Sequence, residues 1–132
     1  MSLVDDVTLR PSAAVLIIGD EILSGRTQDT NSNLLAKKLT DAGISLLEVR
    51  VVPDLNEEIV FAVNNLRSKY TYVFTSGGIG PTHDDITADA IANAFQVEIS
   101  INEEAKRILS TNYSNGEKDI NESRLRMARI PN

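Results

Sequence analysis

Ala13-Ala14-Val15-Leu16-Ile17-Ile18 is an apolar run with no polar interruption. A strand with one wet face alternates polar and apolar residues, so this run predicts a strand covered on both faces, as in a parallel sheet flanked by helices. It stops abruptly at Gly19-Asp20-Glu21. That sets an acidic pair at the carboxyl end of a buried strand, the edge at which open parallel sheets bind ligands. The same residues also read as an ordinary exposed turn, and the sequence leaves both readings open.

A second short apolar run, Tyr72-Val73-Phe74, leads into Thr75-Ser76-Gly77-Gly78-Ile79-Gly80-Pro81-Thr82-His83-Asp84-Asp85-Ile86-Thr87, after which Ala88 to Phe95 is rich in helix formers. Strand, tight loop and helix therefore follow one another. Glycine lacks Cβ and permits positive φ, which lets backbone N–H groups converge and lets a ligand approach the main chain; such a cavity at a helix N-terminus prefers an anion. Asp84 and Asp85 would repel a bare phosphate, so a divalent metal or a hydroxyl-rich ligand has to reconcile the two. A plain reading stands beside this one, in which Asp84, Asp85 or Thr87 simply caps the next helix. The loop is neither G-x-x-x-x-G-K-[ST] nor G-x-G-x-x-G, and no lysine follows its last glycine, which disfavours nucleoside triphosphate binding of the Walker type. His83 is the sole histidine, and histidine can serve as a general acid or base. It reads as an exposed loop residue and stays outside the catalytic set.

The remaining segments fit the same alternation. Asp29-Thr30-Asn31-Ser32 offers N-cap candidates for a helix with Leu34, Leu35, Leu39 and Ala42 on one face, ended by Gly43. Ile44 to Val52 is an imperfectly alternating strand stopped by Pro53. Asp54-Leu55-Asn56-Glu57 has capping-box spacing ahead of Ile59, Val63, Leu66 and Tyr70, so Asp54 is expected to cap a helix while also lying at a strand's carboxyl end. Asp20, Asp54 and Asp85 thus sit behind three strands, and only a shared sheet edge would bring them together. Ile22 to Gln28 reads as an irregular loop with Arg26 as its cation. Farther on, Val97 to Ile101 is a short strand or link, a helix starts at Asn102, Asn115-Gly116 marks a turn, and residues 121–129 form a basic helical stretch whose Arg124, Arg126 and Arg129 read as a solvated face. The βαβαβα order gives an α/β fold with a mostly parallel sheet and helices on both faces. The last third offers no strong strand to widen the sheet, so the chain is expected to stop short of its natural domain end.

At 132 residues the chain is expected to be one domain. Its net charge of −6, the absence of a basic cluster and an aromatic content of 5% argue against a nucleic-acid or anionic-membrane partner. No cysteine is present, which excludes disulfides, thiolate metal sites and cysteine nucleophiles. No apolar run reaches the length of a membrane span, and Met1-Ser2-Leu3-Val4-Asp5-Asp6 lacks the regions of a signal peptide. A cytoplasmic location is expected. Residues 1–12 are expected to be a flexible N-terminus or an expression remnant, and residues 13–132 the domain.

Gly19-Asp20-Glu21, Asp29-Thr30-Asn31, Pro53-Asp54 and Ser76-Gly77-Gly78-Ile79-Gly80-Pro81-Thr82-His83-Asp84-Asp85-Ile86-Thr87, in this order, make the chain resemble the molybdopterin-binding domain family. It is most similar to the branch at the N-terminus of competence/damage-inducible CinA proteins and eukaryotic FAD synthases, where Gly-Pro-Thr-x-Asp-Asp-x-Thr is typical. MogA, MoaB and gephyrin-type domains share Gly-Gly-x-Gly, the later loop aspartate and the Pro-Asp pair. The likeness runs from about Ala13 to Pro131 and implies a three-layer sandwich of the molybdopterin-binding type. Ile79 stands where cofactor-synthesis enzymes usually carry threonine, which moves the chain toward the CinA branch. Family members continue past the position of Asn132 into another strand and a second glycine-containing loop, both expected to be missing here.

From MogA-like proteins the resemblance implies a pocket for molybdopterin over the glycine loop, with Asp54 and Asp85 serving adenylylation in molybdenum cofactor biosynthesis. From the CinA and FAD synthase branch it implies a hydrolase, a metal-dependent nucleotide pyrophosphatase acting on ADP-ribose or FAD. There Asp85, with Asp84 or Asp54, would hold a divalent magnesium or cobalt ion. Asp54 and Asp85 are thus the expected catalytic residues and Asp85 the expected metal ligand. Asp20, Glu21, Ser76, Gly77, Gly78, Gly80, Pro81, Thr82 and Asp84 are the expected contacts of a small-molecule pterin or nucleotide. A homo-oligomer, trimer or dimer, is implied as well. A non-catalytic regulatory domain that keeps the pocket is a third reading.

Overall fold

β1 (Ser12–Ile18) is the middle strand of a three-stranded sheet, between β2 (Ser45–Val52) and β3 (Tyr72–Ser76), and both pairings are parallel. The computed structural model of the chain describes residues 10–132. The expectation for residues 1–12 therefore falls mostly outside the described residues, and Ser12 already belongs to β1. Every residue from Ala13 to Ile18 is buried, as an uninterrupted apolar run requires of a central parallel strand.

Side chains alternate across a strand, so the run serves two cores. Ala14, Leu16 and Ile18 pack with Ile59, Ala62, Val63 and Leu66 of α3 (Asn56–Lys69) and with Ala90 and Ala94 of α4 (Thr87–Phe95). Ala13, Val15 and Ile17 face the opposite side, where α2 (Asn31–Asp41) covers the sheet with Leu39 as its buried residue. Helix, sheet and helix make the three-layer sandwich. The apolar face read for α2 is only half covered, because Leu34 stays exposed.

The imperfect alternation of the second strand has a geometric cause. Ala13 pairs with Leu46 and Ala14 with Glu48, so Leu47 is an extra, bulged residue, and it is exposed. A helical turn, α1 (Asp20–Leu23), replaces the start of the expected irregular loop: the N–H groups of Ile22 and Leu23 donate to the Gly19 carbonyl and Ser24 N–H to that of Asp20.

The last third forms its own small unit. β4 (Ile99–Ile101) pairs antiparallel with β5 (Arg129–Pro131), and between them lie α5 (Glu103–Ser110), a 3₁₀ turn (Gly116–Asp119), α6 (Glu122–Leu125) and a second 3₁₀ turn (Arg126–Ala128). Asn102 and Asn121 cap α5 and α6, accepting from the N–H groups of Ala105 and Arg124 at 2.8 Å. The expected basic helix over 121–129 is thus one helical turn, a tight turn and a strand. Its arginines do not form a solvated face: Arg124 lies 4.2 Å over the Tyr113 ring, and Arg129 forms a two-pronged pair with Asp89 at 3.1 and 2.9 Å. Among the described residues no helix is long and apolar enough to cross a membrane.

Candidate functional site

Two parallel strands end side by side at Asp20 and Asp54, and each aspartate holds the other's backbone. Asp20 N–H donates to Asp54 Oδ2 at 2.9 Å, and Asp54 N–H donates to Asp20 Oδ1 at 3.1 Å. Gly19 N–H reaches the Val52 carbonyl at 3.0 Å, which closes the seam between β1 and β2. The capping role expected of Asp54 is not realised. The cap position of α3 is Leu55, in an extended conformation and without a side-chain bond, and its carbonyl accepts from Ile59 N–H at 3.0 Å. The carboxylate that spacing assigned to its own helix is committed instead to a strand end 34 positions away.

The glycine loop is shaped by two left-handed residues, Gly77 at φ +104 and Gly78 at φ +67. A Cβ on Gly77 would lie 2.0 Å from the Ile18 carbonyl oxygen, and one on Gly78 would lie 2.2 Å from Thr87 Oγ1. Neither position has room for any other residue. Thr87, 2% exposed, is the post to which the loop is tied: its hydroxyl donates to the Gly77 carbonyl at 2.8 Å and its N–H to the Gly78 carbonyl at 3.1 Å. Asp84, Asp85 and Thr87 all fail to cap α4, whose cap position is Ile86 without a side-chain bond. With the loop carbonyls turned toward α4, the N–H groups of Gly77, Gly78 and Ile79 take no part in the described backbone hydrogen bonds. Amides arranged in this way suit an anion.

Beyond the glycines the chain makes a tight turn over 82–85. Asp85 N–H donates to the Thr82 carbonyl at 3.1 Å, while Asp85 Oδ2 accepts from the N–H and hydroxyl of Thr82 at 3.0 and 2.8 Å. Burial pushes the Asp85 carboxyl up, yet the Thr82 hydroxyl and amide, the Gly80 amide and the Arg126 charge hold it below its ordinary range. Asp85 therefore stands ionised and is engaged within the loop. Arg126 closes the turn from outside, donating through Nε to the Thr82 carbonyl and through a terminal nitrogen to the Asp85 carbonyl, both at 3.2 Å.

The expected site residues divide among neighbouring cavities. Asp20, Glu21, Asp54, Gly78, Asp84 and Asp85 line one groove of about 450 Å3, together with His83. Three strand ends do converge there, and the groove is strongly acidic. Ser76 and Gly77 line a smaller cavity of about 180 Å3 of mixed polar and apolar lining that also touches Glu21 and Asn31, and Asn31 Nδ2 donates to Ser76 Oγ at 2.8 Å. Gly80 lies beside Arg126 and Arg129 around a third cavity of about 220 Å3. Pro81 and Thr82 line an open groove against α6. His83 is highly exposed, with Nε2 3.3 Å from the equally exposed Asp84.

Among the described residues no three Asp, Glu or His side chains are grouped so as to hold a metal ion. One oxygen each of Asp20, Asp54 and Asp85 is taken by a backbone or loop donor. The described residues thus form no closed metal cage. Sequence reasoning missed Arg126, Asn31 and the role of Thr87. The Asp-Thr-Asn run marked Asn31 as a helix start only, and nothing local to Arg126 points to a carbonyl 44 positions away.

This geometry can be set beside known proteins. The family described as "Probable molybdopterin binding domain" matches residues 14–126. A probable FAD synthase of Caenorhabditis briggsae is 44% identical over 101 residues, covering 76% of this chain and 19% of that protein. The chain spans less than half the length of such curated relatives; for a Pyrobaculum calidifontis protein, 40% identical, the share is 46%. In structure, the CinA protein of Thermoplasma acidophilum, described as of unknown function, superposes with a TM-score of 0.82 at 34% identity, covering 92% of this chain and 71% of that one. The tungsten cofactor synthesizing protein MoaB of Pyrococcus furiosus shares the fold at a TM-score of 0.63, with 23% identity over 83% of this chain and 69% of that one. With the acidic groove, the positive-φ glycine loop and these likenesses in agreement, the chain belongs to the molybdopterin-binding domain family, in its CinA branch.

Proposed function

We propose that this domain binds a phosphate-bearing nucleotide or pterin across the loop of residues 77–85, and that it acts there as a metal-dependent nucleotide pyrophosphatase on a ligand of the ADP-ribose or FAD type. The observation that carries the reading is the meeting of opposites at one groove: Gly78, from a loop whose unengaged amides suit an anion, lines it together with Asp20, Asp54 and Asp84, which repel one. A diphosphate accompanied by a divalent cation satisfies both. A magnesium or cobalt ion would be held by Asp20 and Asp54, with Asp85 adjoining, and would supply Lewis-acid polarisation of a phosphoryl oxygen. The chain's own parts have separate roles. The amides of Gly77, Gly78 and Ile79 hold phosphate oxygens, Asp54 and Asp85 orient the reacting group, and Glu21, Asn31 and Ser76 offer hydrogen bonds to ligand hydroxyls. Water adds across one P–O–P bond, so ADP-ribose gives AMP and ribose 5-phosphate.

Incubation with ADP-ribose and with FAD, each with magnesium or cobalt, followed by chromatography of the products, tests this. AMP release that falls at least about a hundredfold in Asp54→Ala and Asp85→Ala is expected, the scale of a lost electrostatic stabiliser. No product above the Asp85→Ala control overturns the catalytic reading. Family membership supports a second reading, in which the domain binds or adenylylates molybdopterin. Tight binding of molybdopterin with no metal-dependent response to ADP-ribose would favour it. Ligand binding with no turnover of either kind would leave a regulatory domain.

A further inference from the structure

Among the described residues, the hydrogen bonds from Arg126 to the loop go to main-chain oxygens. Its guanidinium donates to the carbonyls of Thr82 and Asp85, the two ends of the turn that carries the Asp85 carboxylate. Those carbonyls are 3.2 Å from two different nitrogens of one planar group, a fork that a lysine ammonium cannot reproduce. Arg126 itself is held firmly. Two residues on, Ala128 is wholly buried and its carbonyl accepts from Asn102 N–H at 2.8 Å. Next to it Arg129 pairs with Asp89 in the first turn of α4, and Arg126 lies 3.9 Å from the same carboxylate. The unit made by β4 and β5 thus grips both the glycine loop and the helix behind it, with the Arg126 side chain 28% exposed between them.

We propose that Arg126 is a positioning residue for the ligand site: it fixes the turn over 82–85, and through it the Asp85 carboxylate and the Gly78–Gly80 amides, without touching the ligand. Its effect on ligand affinity rests on the binding function proposed above; its grip on the loop does not. The turn is otherwise closed within the loop, between Thr82 and Asp85 and by the Gly80 amide on the Asp85 carboxylate. Thr87 ties the two glycines to α4. Arg126 ties the turn over 82–85 to the β4–β5 unit.

The test compares the full chain with Arg126→Ala, Arg126→Lys and Arg124→Ala, the last removing a neighbouring arginine that stacks on Tyr113 instead of gripping the loop. Amide hydrogen exchange is followed at residues 82–87 and, as an internal standard, at Val15 to Ile18. Affinity for ADP-ribose with magnesium is measured by calorimetry. Exchange at 82–87 at least about tenfold faster in both Arg126 variants is expected, with β1 unchanged and ADP-ribose binding about tenfold weaker, the scale of losing charge-assisted hydrogen bonds. Arg124→Ala should match the parent chain. Unchanged exchange at 82–87 in both Arg126 variants overturns the proposal. Full rescue by lysine also overturns it, because a bare charge would then suffice. Weaker binding with an undisturbed turn overturns it too, by making Arg126 a ligand contact. If Arg126→Ala unfolds, seen as fast exchange throughout β1, the lysine variant decides alone. If the parent chain binds no ADP-ribose, the proposed function falls while the exchange data still settle the grip.

Discussion

Replacing Gly77 with alanine asks whether the loop's path is imposed by sterics at the end of the central strand. Two separate penalties meet there. The first is conformational: a non-glycine residue at φ +104 sits in a left-handed region that costs about 1–2 kcal/mol. The second is spatial. The new Cβ would lie 2.0 Å from the Ile18 carbonyl oxygen, where ordinary contact begins near 3.4 Å, and Ile18 is 1% exposed in the core strand. The oxygen belongs to rigid backbone, so relief requires a shift of the strand end or the loop, comparable with an overpacked core at about 1–3 kcal/mol. The sum, about 2–5 kcal/mol, is a large share of the roughly 5–15 kcal/mol that holds a domain together. With an unfolding entropy of about 2.1 cal/mol/K per residue, a chain of this length loses about 7–18 °C in Tm. Gly43→Ala isolates the first penalty, because Gly43 has φ +77 with nothing within 4 Å of the added carbon; about 1–2 kcal/mol, or roughly 4–7 °C, is expected there. Urea unfolding of the two variants beside the parent chain gives the comparison. Equal losses for Gly77→Ala and Gly43→Ala would refute the steric argument and, with it, the claim that β1 dictates the loop.

Thr87→Val keeps shape and burial but removes the hydroxyl that donates to the Gly77 carbonyl, so a loss of about 1–3 kcal/mol is expected in urea unfolding; Thr87→Ser should lose less, and a valine variant as stable as the parent would remove Thr87 as the loop's post. Stability should also fall in acid. The carboxyls of Asp29 (by the Ser32 hydroxyl), Glu48 (by the Tyr70 hydroxyl and Arg50), Glu104 (by Arg107) and Asp119 (by the Asn115 amide) are all held below their ordinary values. Their folded values lie below the unfolded ones, so their contribution is fully present above the ordinary carboxyl range, about pH 4, and drains away as pH drops through the lowered values. A urea midpoint that holds or rises between pH 5 and pH 3 would contradict this. Tyr70 mirrors it at the other end. Its hydroxyl donates to Glu48 and its pKa is raised, so the stability it lends persists up to the ordinary phenol value of about 10 and is lost above it. Tyr70→Phe should flatten the alkaline limb of the same curve.

What could be read in the residues and what could not divide along a physical line. β1 was legible because burial on both faces demands apolar side chains at every position. The glycine loop was legible because positive φ and contact with the Ile18 carbonyl exclude every side chain. The convergence of Asp20, Asp54 and Asp85 followed once parallel strands placed their ends on one edge. In each case the structure imposes a demand on residue type, and residue type is what a sequence records. The failures are of the opposite kind. Asp54 satisfies capping-box spacing and still does not cap, because the competing donor, Asp20 N–H, lies on another strand and leaves no trace in the local pattern. β5 is too short for its alternation to show. Arg126 meets two carbonyls, and since every residue has a carbonyl, such a contact specifies nothing about its partner. Further determinants of this site should therefore be side chains that hold the loop by its backbone, as Thr87 and Arg126 do. Their substitution should change the geometry of the acidic groove more than its charge.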